Sequence, residues 1–194
     1  MTNPWYEVVG PDVRLTQGDI ILECPLLKWQ LDGAAEGESR ASGERLVQAA
    51  KGIKADVVVM TQACDLEQGK VSDVVLCPCR PLSRYKPVWE GAERARKQNP
   101  TNTAWSAFCE DIKNGSVWNL FMVDSLPEGE VTTEHRIVDF HSVHTVPRAF
   151  LDPLIAERGA KRLRLLPPDR EHLSQSFARF FMRVGLPAPR TRAW

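Results

Sequence analysis

Three of the chain's five cysteines, Cys64, Cys77 and Cys79, fall in the stretch VVVMTQACDLEQGKVSDVVLCPC at 57–79. Their thiols could bind zinc or supply a nucleophile. Structural zinc sites use paired C-x₂₋₄-C knuckles, whereas this stretch offers one C-x-C holding a proline and no second pair. The β-branched runs 57–60 and 71–77, separated by the Gly-containing segment 67–70, predict an antiparallel hairpin. With the turn centred on 67–69, facing residues have numbers summing to about 136, so Cys77 faces Val59, Cys79 faces Val57 and Cys64 faces Ser72. Cys64 then lies roughly 16 Å from Cys77 at ~3.3 Å per residue, too far to share an ion. No metal or cofactor is expected unless residues 61–66 leave the strand and bring Cys64 to Cys79.

Cys64 beside Asp65 remains a second candidate site, a nucleophile whose histidine the fold would have to supply. A turn cysteine next to a turn-favouring aspartate explains the same two letters. His141 and His144 differ by three positions, and a strand period of two sends them to opposite faces, so they are no chelating pair. His172 shares one helical line with Gln175, Ser176, Arg179 and Arg183, which reads either as a solvated face or as a phosphate-binding one. Glycine-rich loops of the Walker or dinucleotide type are absent.

The elements that must position these groups follow from periodicity. Gln17-Gly18-Asp19 turns into a short strand from Ile20, closed by Pro25, and the Gly-, Ser- and charge-rich stretch 32–45 reads as a surface loop. Residues 87–98 read as a charged helix. Thr101 or Thr103 caps a second one ending at Asn114-Gly115, in which Trp105, Phe108, Cys109 and Ile112 form a buried stripe. Strands are expected over 117–123 and 136–146, and Pro147 and Asp152-Pro153 open short helical pieces. After Pro167-Pro168, Asp169 caps a helix over 170–184 whose apolar stripe is Leu173, Phe177, Phe180, Phe181 and Val184.

With 194 residues, 43% of them hydrophobic and 26% charged, the chain suits a single globular domain. No basic-then-apolar leader and no run near ~20 apolar residues occurs, so a cytoplasmic protein off the membrane is expected. Reduced thiols agree with that. The net charge of zero hides an asymmetry: residues 158–194 carry nine Arg/Lys against Asp169 and Glu171, which leaves +7 there and −7 over 1–157. Such a section meets nucleic acid or an acidic partner, or docks on the chain's own acidic body. The expected fold is mainly β with helical additions, a small barrel carrying a helical insert at 87–114 and a C-terminal amphipathic helix.

Four strand motifs in order resemble the PemK/MazF (CcdB-like) toxin family: Gly18-Asp19-Ile20, Ala55-Asp56-Val57-Val58-Val59-Met60-Thr61, Val74-Val75-Leu76-Cys77-Pro78-Cys79, and Arg136 through Pro147. The resemblance implies an SH3-like β-barrel and metal-independent endoribonuclease chemistry, with an arginine before the second strand and a hydroxyl after the Cys-Pro of the third. Here those positions hold Lys54, with Lys51 nearby, and Cys79 followed by Arg80. The resemblance thus implies Lys54, Cys79 and Arg80 as catalytic groups, with Lys51 beside them on the phosphate, and Arg80→Ala as an inactivating change; His172, Arg179 and Arg183, if their helical line is the phosphate-binding face, add RNA contacts. It also implies a bacterial toxin–antitoxin or phage-defence setting in which the partner is RNA or a protein of the same operon, with a homo-oligomer allowed. The competing reading is a non-catalytic adaptor whose degenerate barrel and C-terminal helix bind another protein.

Overall fold

The computed structural model describes residues 5–30, 47 and 49–182. Among the described residues the bounded elements follow in the order β1 (Tyr6–Val9), β2 (Asp19–Trp29), β3 (Ala50–Val59), α1 (Ala63–Glu67), β4 (Asp73–Pro81), α2 (Leu82–Ala95), α3 (Asn102–Lys113), β5 (Leu120–Val123), β6 (Arg136–Asp139), β7 (His144–Pro147), α4 (Arg148–Arg158), β8 (Arg162–Leu165) and α5 (Asp169–Phe181). The strands form one antiparallel sheet in the order β1-β8-β2-β3-β4-β6-β5, with β7 also on β4. The chain is therefore mainly β with helical additions. Among the described residues no backbone pairing joins β1 to β5, so no ladder closes the expected barrel. A side chain links those two ends instead: the Tyr6 hydroxyl donates to the Asp124 carbonyl at 2.5 Å.

Both faces of the sheet are covered, which explains why its central strands read as continuous apolar runs rather than alternating ones. Val58, Cys77, Val138, Leu163 and Leu165 turn to the inner face, where Leu173 of α5 packs on them. Val57, Val59, Val74 and Leu76 turn the other way, against Leu66 of α1 and Leu151 and Ile155 of α4. A third cluster seats Trp89 of α2 and Trp105 and Ile112 of α3 on Leu120 and Ile137. Burying one such side chain fully is worth about 1.5–3 kcal/mol.

The β3–β4 pairing departs from a simple hairpin. Val57 faces Pro78, Val58 faces Cys77 and Val59 faces Leu76, one residue away from the expected register. The shift has a cause: the connection is no tight turn but the helix α1, which takes Cys64 and Asp65 off the ladder altogether. Cys64 consequently does not face Ser72.

Strand β2 runs on through Pro25 to Trp29, longer than expected. Two residues, Leu22 and Glu23, stand against Asp56 alone, and this bulge keeps Ile21 and Cys24 on the same face although they are three apart. Glu23 takes a left-handed φ of 47° there, and its N–H donates to the Asp56 carboxylate. Beyond the bulge β2 pairs with β3 alone, since β8 reaches only Asp19 and Ile20. A proline is tolerated on such an edge because its missing N–H faces no neighbour.

The expected strand 136–146 is split into β6 and β7 by a turn at 140–143. Both halves lie along β4, and the break falls beside Pro78, which has no N–H to offer a ladder. The helical insert begins at Leu82 rather than 87, Thr101 caps α3 by accepting from Ala104 N–H, and α5 has Pro168 rather than Asp169 at its N-cap.

The described part of the basic C-terminal section, residues 158–182, is built into the body. Its strand β8 lies between β1 and β2, and the fully buried Asp19 accepts from Arg162 Nε at 2.8 Å and Arg164 Nε at 2.5 Å. Arg158 donates to the carbonyls of Leu22 and Glu23, Lys161 pairs with Glu130 and Arg170 with Glu171. Most of the described positive charge is thus engaged within the chain. Among the described residues no helix is long and apolar enough to cross a membrane.

Candidate active site

The antiparallel register of β5 and β6 sets Leu120 against Asp139 and Val123 against Arg136. One further step in the same phase brings Asp124 opposite His135. Their side chains meet, with Asp124 Oδ1 2.9 Å from His135 Nε2. Three main-chain bonds fix the pair: Tyr6 holds the Asp124 carbonyl, Ser125 N–H donates to Asp124 Oδ1 at 2.8 Å, and the His135 carbonyl accepts from Leu82 N–H at 2.8 Å.

A second acid–imidazole couple comes from α5. Asp169 and His172 are three apart in its first turn, so they share a helix face, with Oδ1 and Nδ1 3.8 Å apart. Burial, first of all, raises the Asp169 carboxyl above its ordinary range; His172 pulls it back, and Asp124 adds to the rise. Tyr6 is likewise held above its ordinary value, mainly by burial, with Asp124 and Asp169 among the charges acting on it. The two aspartates therefore act on the same small region, although they arrive from different elements.

Both couples open into one groove of about 930 Å³ between the end of α3, strand β5 and α5. Lys113 and Arg179 border it, as do Trp118 and Cys109. Among the described residues Arg179 has no ion-pair or hydrogen-bond partner. A cavity holding two imidazoles, each beside a carboxylate, and two cations has the parts for proton transfer at an anionic substrate.

The residues singled out from sequence are distributed differently. His172 and Arg179 line this groove, while Arg183 lies outside the described residues. Lys51 and Lys54 lie on β3, where they pair with Lys28 and Pro25, and their positions differ by three, so they occupy opposite faces. Arg80, on β4, pairs with Ile137 and lies near enough to Tyr85 for its charge to oppose the rise that burial and Asp139 give the phenol. Cys79 is wholly buried, and burial pushes its thiol up to about 12 despite the guanidinium of Arg136 nearby. Cys79 is therefore no open catalytic thiol, while Lys54 and Arg80 lie on the neighbouring strands β3 and β4. Arg136 instead makes a structural pair with Asp56 at 2.8 Å and donates to the Cys79 carbonyl.

Cys64 is exposed on α1, its sulfur 3.8 Å from Asp65 Oδ1 and 3.7 Å from Gln62 Oε1. No histidine is recorded against it among the described residues. Residues 61–66 do leave the strand, but as helix, and Cys79 stays in the core. Among the described residues no group of three or more His, Cys, Asp or Glu side chains could hold a metal ion.

Sequence reading passes over Asp124 and His135, because they are eleven positions apart and only the strand register joins them. A signal exists in hindsight: Asp124 directly follows the strand Leu120–Val123 and His135 directly precedes the strand Arg136–Asp139. No family model matches the chain, and no curated protein matches its sequence.

Proposed function

We propose that this protein binds single-stranded RNA in the α3–β5–α5 groove and cleaves it without a metal, as a toxin-like endoribonuclease of the cytoplasm. The observation that carries the reading is the presence of two His–Asp couples, Asp124–His135 and Asp169–His172, on one groove that also holds Arg179 and Lys113. RNA supplies its own nucleophile, so the protein needs only to move protons and offset charge. One imidazole takes the proton of a 2′-hydroxyl, and its oxygen attacks the adjacent phosphorus. The 5′-oxygen leaves with a proton from the second imidazole, giving a 2′,3′-cyclic phosphate and a 5′-hydroxyl. Arg179 and Lys113 balance the charge that builds on the phosphoryl oxygens.

The groove also contains Glu110, Asp124 and Asp169, so Arg179 and Lys113 are the groups that draw phosphate into it. The setting in a bacterial toxin–antitoxin or phage-defence system rests on the strand motifs that resemble PemK/MazF. A second reading, the non-catalytic adaptor, is favoured by one observation: the Cys79 side chain, at the position where a toxin-like site needs an accessible hydroxyl, is buried in the core. The test is incubation with a single-stranded RNA in the presence of a chelator. Fragments ending in 2′,3′-cyclic phosphate support the ribonuclease; intact RNA across pH 5–8 overturns it in favour of the adaptor.

A further inference from the structure

Beside the acid–base couples the groove has an aromatic wall. Trp118 lies between α3 and β5, is 42% exposed and borders the groove. Phe180 of α5 backs its indole in a near-parallel stack, with centroids 5.3 Å apart and planes at 16°. His141 meets the indole edge-on at 5.7 Å and Phe180 at 5.1 Å, and Asn119 holds the His141 ring through Nδ1 at 3.1 Å. The indole is therefore oriented from two sides by elements distant in sequence. A large flat ring left 42% exposed at the mouth of a groove that holds Lys113 and Arg179 beside Glu110, Asp124 and Asp169 suits a planar ligand whose phosphate meets the two cations.

We propose that Trp118 is a stacking platform for one unpaired nucleobase, next to the position where Arg179 and Lys113 take the phosphate. This rests on the RNA reading of the groove and narrows its substrate class: a base must leave its neighbours to lie on the indole, so single strands and loops bind while duplexes do not. Phe180 and His141 serve as positioning residues that keep the ring in place before the ligand arrives, which limits the ordering cost of binding.

The experiment uses the full chain and fluorescein-labelled deoxyuridine octamers, which lack the 2′-hydroxyl and are not cut. One octamer is complete, one carries abasic sites throughout, and one is annealed to its complement. Wild type should bind the complete single strand roughly 5- to 100-fold more tightly than the abasic one, the range expected for one base on an aromatic ring. Trp118→Ala should lose that preference and bind both strands as wild type binds the abasic strand, while Trp118→Phe should retain most of it. Circular dichroism of each variant checks the fold, and Trp118→Phe covers the case in which the alanine variant is unstable. If Trp118→Ala keeps the full preference for bases, or if the duplex binds as well as the single strand, the stacking inference is overturned while the groove reading stands. If wild type shows no salt-sensitive binding to any octamer, the groove reading fails and the inference with it.

Discussion

Asp124 Oδ1 lies 2.9 Å from His135 Nε2 because the β5–β6 register, which sets Val123 against Arg136, persists one step past both strand ends. The carboxylate fixes the ring's orientation, so its removal should affect catalysis more than folding. Asp124→Asn is expected to lower RNA cleavage by at least about tenfold, part of the ~10²–10⁴-fold that positioned acid–base groups supply. The comparison is of cleavage rates at saturating RNA, with melting temperature as the control. An unchanged rate would remove Asp124 from the mechanism.

Asp19 is expected to matter for stability rather than for activity. It is fully buried between Arg162 and Arg164, and its loss leaves Arg162 buried without its counter-charge. Asp19→Ala should cost about 3–5 kcal/mol, the range for breaking a buried pair from one side. A urea titration reads this as a lower midpoint at similar slope. A loss below ~1 kcal/mol would mean that the guanidinium's other acceptors, the carbonyls of Gly10, Val13 and Arg14, suffice.

The thiols should separate by burial. Cys64 is exposed, whereas burial raises Cys24 to about 11 and Cys77 and Cys79 to about 12. Native protein should therefore show one fast equivalent with a disulfide reagent, a slower one from half-buried Cys109, and the other three only after denaturation. Cys64→Ser should abolish the fast phase. Rapid labelling of Cys77 or Cys79 in the native state would contradict the packing of the inner core.

His144 gives a pH signature. It pairs with Leu76 on β7, and burial, aided by Lys28, lowers its pKa below the ordinary 6.5, opposed in part by a hydrogen bond with the Leu27 backbone. A depressed folded-state value means that the neutral ring is favoured on folding. Its stability contribution is complete above 6.5 and is lost as pH falls through the lower folded value. The urea midpoint should drop on acidification below 6.5, and less so in His144→Gln. Equal slopes in the two proteins would assign the drop to other groups.

Much of the framework is legible in the sequence. The β-branched runs became strands, the Trp105–Ile112 stripe became a packed helix face, and Thr101 is the cap its position suggested. Two physical causes hid the rest. The bulge at Leu22 and Glu23 lets β2 continue past Pro25, where local rules end a strand, and helix α1 replaces the turn on which the hairpin register was counted. Both are tertiary overrides of local preference. The groove was half visible: His172 and Arg179 stand out on a helix, but Asp124 and His135 meet only through a register that no short window contains.

The central claim, that the two imidazoles of the α3–β5–α5 groove perform the chemistry, is tested most directly by single-turnover cleavage of a single-stranded RNA by His135→Gln, His172→Gln and Arg80→Ala proteins. The account predicts that each histidine variant loses about 10²-fold or more in rate while binding an uncleavable deoxy strand nearly as wild type does, and that Arg80→Ala cuts normally. Cleavage that survives both histidine changes but is abolished by Arg80→Ala would contradict it and move the active site to the β4 strand end.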